Sequence, residues 1–250
     1  MVVITDPWFY VLAVPAVLIT GISKTGLGSG SGGIAVPLMS QVIAPGAAAG
    51  IMLPILCVMD VLGLRAYRGK WSWPDLKLMI PAAVLGIAVG ALMFGLLSVK
   101  TTKALLGTVA VGFAMYQGIP ALRDLKSWLP ERVRPWLWCG VSGFTSTLAH
   151  AGGPPATIYL WPRKLDRTTF VATTVFFFTV VNAVKLIPFA LLGQLNFTNL
   201  GTAFILMPLA PIGVWLGVRL NTVISDVVFR RITLTLLFVL GVRLLYEGLK

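Results

Sequence analysis

GISKTGLGSGSGG, from Gly21 to Gly33, interrupts an apolar sequence long enough to cross a bilayer, and its reading decides the fold. It holds six glycines, four hydroxyl side chains and Lys24, a composition that makes a continuous helix through it weak. Backbone that leaves helical geometry at membrane depth survives only when buried in protein or lining a water-filled cavity. Each unsatisfied N–H or C=O in hydrocarbon costs several kcal/mol. The stretch therefore predicts a broken helical hairpin that carries a binding site.

Around it, the 250 residues are 57% hydrophobic and 11% charged, the profile of a polytopic helical membrane protein rather than a soluble domain. Segments of about twenty apolar residues recur to the C-terminus, as a bilayer requires of spanning helices. A net charge of +12 would suggest nucleic acid in a soluble protein, but here Lys and Arg lie mainly in short loops between apolar segments, where they signal topology. The expected surroundings are the lipid bilayer, with no nucleic acid. Cys57 and Cys139 sit in apolar segments and match no metal spacing, so packing is their expected role. Neither a metal nor a cofactor is expected. No basic region precedes the first apolar run, so the first segment should stay in the mature protein.

A short apolar run at 34–43 follows the break and ends at Pro45-Gly46, giving a hairpin with two arms, neither long for a spanning helix with flanks. Full spans are expected at 47–67, 76–97 and 101–119. The polar stretch 123–134 reads as a linker between units, and after it the same order returns. Placing Gly21 on Gly143 puts Gly28 on His150, Gly30 on Gly152 and Asp60 on Asn182; a slightly larger shift puts Pro81, Gly86 and Gly90 on Pro208, Gly213 and Gly217. The second unit reads as a hairpin at 135–161, broken at 147–155 (TLAHAGGPP), then spans at 169–192, 200–220 and 227–249. This divides the chain into a first transmembrane repeat at 1–120, a cytoplasmic linker at 121–134 and a second repeat at 135–250.

Loop charges set the orientation. With re-entrant hairpins, each unit has three full spans and the halves are inverted. The basic loops 65–70, 123–134, 163–167 and 230–231, with Lys77 and Arg219, then share one side, leaving Lys100, Lys103, Arg243 and Lys250 on the other. The positive-inside rule favours this over eight crossings, which would divide the basic residues almost evenly. The expected fold is an all-α polytopic membrane protein of two inverted repeats, each a broken re-entrant helical hairpin followed by three transmembrane helices. The two breaks would meet near the midplane, where repeat-built transporters bind substrate.

At the first break, Lys24, Thr25, Gly28, Ser29, Gly30 and Ser31 offer a cation, hydroxyls and exposed N–H groups. A second arm starting after Gly30 would aim its N-terminus into the break, which suits an oxyanion. At the second, Ser146, Thr147, His150, Gly152 and Gly153 precede Pro154-Pro155, and proline suits the first turn of a new half-helix. His150, the single histidine, could bind an anion when charged or couple transport to protons. Asp60, and in the matching span Asn182 with Lys185 one turn later, are intramembrane polar groups of the kind that face a bundle interior. Asn182 and Lys185 join the substrate-binding set, and Asp60 and His150 are the coupling candidates. Each has a plainer reading as well. Small residues let helices approach closely, Lys24 could snorkel to an interface, His150 could satisfy a structural hydrogen bond, and Asp60 could form a salt bridge with Lys24 or Lys185.

The glycine-rich break early in each half, followed in the first by Ala35-Val36-Pro37-Leu38, resembles the sulfite exporter TauE/SafE family of bacterial membrane permeases over nearly the whole chain. The resemblance implies a secondary transporter, read as an exporter, of sulfur-containing anions such as sulfite or organosulfonates, multi-pass in the cell inner membrane. The charge pattern alone supports only a small anionic substrate. The sequence departs from the family's GxGGG-like pattern: Gly28-Ser29-Gly30-Ser31-Gly32-Gly33 and His150-Ala151-Gly152-Gly153-Pro154 place hydroxyls and an imidazole where small residues are common. Three other readings compete, of which a purely structural membrane subunit would leave both broken hairpins without a purpose. A carrier or channel for another small solute or a metal cation would use Asp60 as ligand, without the clustered carboxylates such a site needs. An intramembrane enzyme would assemble Ser146, His150 and Asp60 into a hydrolytic set, without a nucleophile motif. Oligomeric state is left open.

Overall fold

Helix starts follow the capping chemistry of the sequence. In the computed structural model, which describes residues 3–27, 31–118, 130–220 and 226–250, the Asp6 carboxylate accepts from the Trp8 N–H at 2.9 Å and Pro7 occupies the first turn of α1 (Pro7–Ile22). This is the preferred chemistry of a helix N-terminus. The chain then passes through a π turn (Ser23–Leu27), a 3₁₀ turn (Ser31–Ile34) and the five-residue α2 (Ala35–Met39). Three long helices complete the first half: α3 (Pro45–Ala66), α4 (Trp73–Leu96) and α5 (Val99–Gly118). The second half repeats the order with α6 (Arg134–Ala149), α7 (Gly153–Leu160), a 3₁₀ turn (Trp161–Arg163) and α8 (Arg167–Leu191). It ends with α9 (Phe197–Leu206), α10 (Leu209–Leu220) and α11 (Asp226–Leu249). Most of the expected linker lies outside the described residues.

Pro7–Gly26, Pro45–Ala66, Trp73–Phe94 and Arg167–Leu191 are long and apolar enough to cross a membrane, and α9 with α10 makes a fifth if that bent pair is one span. The protein is an all-helical, polytopic membrane protein. Two expectations are corrected. The first arm is not short: helical geometry carries through the π turn to give 20 residues, about 30 Å of rise, because the wider turn accommodates Gly26 without ending the helix. The span expected at 200–220 is broken, its halves meeting at 47°. Pro208 and Pro211 remove backbone donors on consecutive turns there, whereas α4 carries Pro81 in its interior and stays continuous. Helices α5 and α11 have spanning length, 20 and 24 residues, but carry charge, joined where Lys103 meets Glu247 at 2.7 Å.

The helices pair reciprocally. α1 lies on α10 as α6 lies on α4; α3 touches α8 and α9 as α8 touches α3 and α4; α5 lies on α11. Exchanging the two halves leaves this pattern unchanged. The α1/α10 and α4/α6 seams run backbone on backbone: a Cβ on Gly21 would stand 2.8 Å from Gly213 Cα, and one on Gly86 would overlap the Gly140 carbonyl oxygen. Such close approach is how membrane helices gain packing without a hydrophobic driving force. Phe9, Val36, Met39, Met52, Met59 and Phe189 join α1, α2, α3 and α8 in one apolar cluster. Leu76, Met79, Cys139, Leu160 and Phe177 form another across α4, α6, α7 and α8, with Cys139 a packing residue as expected.

Candidate functional site

The two breaks touch. A Cβ on Gly33 would lie 3.0 Å from Ala151 Cβ, and a cavity of about 10 Å³ between them is lined by Gly33, Pro37, Leu106, Ala149, Ala151 and Pro154 among others. That is room for one water at most. Ala149 and Ala151 flank His150, whose side chain reaches a polar cluster instead.

The cluster is built by α3, α8 and the two breaks. Lys24, on the π turn, approaches Asp60 of α3 at 2.6 Å, with side chains 10% and 2% exposed. The other Asp60 oxygen accepts from the Asn182 amide of α8 at 2.7 Å. One turn later, the fully buried Lys185 donates to the Ser146 carbonyl at 3.0 Å and the Ser146 hydroxyl at 2.9 Å, and its Nζ stands 2.7 Å from His150 Nδ1. His150 Nε2 lies 2.9 Å from the Ala49 carbonyl of α3. A carbonyl only accepts, so Nε2 carries a proton and Nδ1 is the acceptor for the Lys185 ammonium. Asp60 thus faces Lys24 and Asn182, whereas Lys185 lies among neutral acceptors and makes no ion pair among the described residues, so an ammonium there has no carboxylate of its own in a low-dielectric interior.

Among the described residues, several backbone carbonyls at the breaks are satisfied by nearby hydroxyls, as hydrocarbon demands. The Tyr67 hydroxyl donates to the Thr25 carbonyl at 2.6 Å. Ser142 donates to the Gly152 carbonyl at 2.5 Å, and the Thr145 hydroxyl lies 3.2 Å from the Ala151 carbonyl. His150 itself closes α6 in the left-handed region at φ 52°, an uncommon conformation for a residue with a side chain. Its N–H returns to the Ser146 carbonyl at 3.0 Å.

Of the residues singled out in the sequence, Lys24, Asp60 and Asn182 form one bonded group and Ser146, His150 and Lys185 another, the two meeting α8 one turn apart. Thr25 and Thr147 join neither: their hydroxyls donate to Gly21 and Gly143 carbonyls at 2.9 Å each, on the seams with α10 and α4. Gly152 and Gly153 lie at the start of α7. Gly28, Ser29 and Gly30 lie outside the described residues, and Ser31 begins the 3₁₀ turn. The expected N-terminal dipole at the first break is reduced to a 3₁₀ turn leading into a five-residue helix, too short to sum many peptide dipoles. The snorkelling alternative for Lys24 gives way to the Asp60 ion pair. The hydrolytic alternative fails too, since both His150 nitrogens are engaged away from Asp60. Among the described residues, no group of three or more His, Cys, Asp or Glu could hold a metal ion.

Sequence reasoning missed the Tyr67 and Ser142 hydroxyls and an ion pair at the start of α4. There Asp75, 6% exposed, takes Arg163 at 3.1 Å, the Ser72 hydroxyl at 2.6 Å and the Tyr159 hydroxyl at 3.3 Å. Its one sequence signal is a carboxylate and an arginine in separate loops assigned to the same side.

The model of the sulfite exporter TauE/SafE family matches residues 13–244. The chain belongs to that family. It is therefore a membrane transporter and not an enzyme, and the match runs through both breaks and every helix of the cluster. No curated protein and no solved structure gives a match.

Proposed function

We propose that this chain is a secondary carrier in the cell inner membrane that exports sulfur-containing anions, sulfite or organosulfonates, bound where the two broken hairpins meet and moved by alternating access. The observation that carries the reading is the fully buried Lys185, which makes no ion pair among the described residues while Asp60 is taken by Lys24. An anion arriving beside Lys185 supplies the missing negative charge, and Ser146 adds a hydroxyl to hold it. Sulfur as the central atom comes from the family. Reciprocal packing supports two inverted repeats, at 1–120 and 135–250, joined by the cytoplasmic linker 121–134, with the breaks entering from opposite faces.

A metal cation is a poorer cargo, because Asp60 is already neutralised by Lys24. Thermal unfolding of purified protein tests the choice, since a ligand that binds only the folded state raises the melting temperature. Sulfite and sulfoacetate should stabilise the wild type and do so less in Lys24→Ala and His150→Ala, with chloride and nickel as controls. Stabilisation by nickel alone, or equal anion effects in all three proteins, would refute the anion site.

A further inference from the structure

Lys185 and His150 place two basic nitrogens 2.7 Å apart. At that distance one proton lies between them, since a second would set two cations against each other. The Nε2 proton is committed to the Ala49 carbonyl, which leaves Nδ1 as the position open to protonation. The groups that act electrostatically on the pair are Lys24 from the π turn and Asp60 and Cys57 from α3; α4, α5 and α7 present none among the described residues. Asp60 is held by Lys24 and Asn182. Lys185 Nζ meets three acceptors, the Ser146 carbonyl and hydroxyl and His150 Nδ1, as an ammonium with three N–H donors does, and with Asp60 facing Lys24 that cation is the surplus charge of the cluster.

Resting on the anion-carrier reading above, we infer that the His150–Lys185 pair matches its charge to that of the cargo: it takes up one proton when a doubly charged anion binds and none when a singly charged one binds. A monoanion neutralises the cluster as it stands. A dianion overcompensates it, and the balance is restored when a proton from water bonds to His150 Nδ1. The Lys185–Nδ1 hydrogen bond then breaks, and both the ammonium and the new N–H turn to the anion. No further reactant is needed. This reassigns coupling from Asp60 to Lys185 and His150 acting as one unit, and it makes proton stoichiometry a property of the substrate rather than a fixed property of the carrier.

Isothermal titration of the purified wild-type protein at pH 7.5, in buffers of different ionisation enthalpy, reads protons taken up per anion bound. Sulfoacetate and sulfate serve as dianions and methanesulfonate as monoanion. Uptake of about one proton per dianion and close to none per methanesulfonate is expected. His150→Asn, which keeps a residue tolerant of positive φ, should lose that uptake and weaken dianion binding about tenfold, a larger loss than for methanesulfonate. Dianion binding without proton uptake in the wild type, or equal uptake with both anion classes, overturns the inference alone. So does uptake that persists in His150→Asn. Absence of binding by every anion overturns the carrier reading and this inference with it.

Discussion

Replacing Asp60 by Asn separates what the carboxylate does for the fold from what it does for the cargo. In the wild type its two oxygens meet Lys24 at 2.6 Å and Asn182 at 2.7 Å, with the carboxylate side chain 2% exposed. In Asp60→Asn the amide oxygen can still accept from Asn182, but an N–H₂ then faces the Lys24 ammonium. Breaking a buried ion pair from one side costs about 3–5 kcal/mol. Because 1 kcal/mol moves the transition of a chain this long by roughly 2–4 °C, the loss is on the order of 6–20 °C, readable by circular dichroism in detergent. Removing Lys24 as well, in Lys24→Met/Asp60→Asn, should return most of that loss, as a double-mutant cycle of a direct pair requires. Anion binding should move the other way, since Asp60→Asn raises the cluster from one uncompensated positive charge to two. Sulfoacetate should then stabilise Asp60→Asn by more than it stabilises the wild type. If the single variant melts where the wild type does, or the double variant is no better than the single, the ion pair is not what the geometry says it is. If sulfoacetate stabilises Asp60→Asn less, the charge argument for the anion is wrong.

Gly86→Ala would drive a methyl group into the Gly140 carbonyl on the α4/α6 seam, whereas a methyl on Gly112 meets nothing within 4 Å. The first should cost at least about 1–3 kcal/mol and the second should leave the melting temperature of the detergent-solubilised protein unchanged. A neutral Gly86→Ala would show that the seam is looser than described. Asp75→Asn removes the carboxylate that gathers Arg163, Ser72 and Tyr159. Because Arg163 is 36% exposed, most of the loss comes from the hydroxyl bonds, about 1–2 kcal/mol, checked in the same melts against Arg163→Gln, which should cost less.

Both breaks were legible because glycine and paired proline fail as helix interior for reasons that act residue by residue. Asp60 and Asn182, placed at corresponding positions by the sequence reading, are hydrogen-bonded to each other. The break at Pro208 was not, because its counterpart Pro81 sits in an unbroken helix; the difference lies in Pro211, which removes a second donor. The cluster's membership was largely foreseen, but its wiring was not. Nothing in the local sequence tells Lys24 from Lys185 as the partner of Asp60, since that choice depends on which face of α3 each break approaches. The same holds for Tyr67, a span-end aromatic by sequence, which caps a carbonyl 42 residues away in the chain.

In the proposed carrier, a Lys185 ammonium without a carboxylate of its own would also make the unloaded protein a charged object in an electric field. One elementary charge moved across the whole membrane potential gains about 2.3 kcal/mol per 100 mV, and a site that opens first to one side and then to the other samples part of that drop. Voltage, negative inside, would hold the empty, positively charged site open to the cytoplasm, where a departing anion is collected. A monoanion cancels the charge and frees the loaded step from the field. Charge displacement on solid-supported membranes, present for the empty carrier's return and absent for the monoanion-loaded step, would report this; currents of equal size in both would contradict it. The surplus cation would then act as the spring that resets an exporter, driven by the resting potential of the cell.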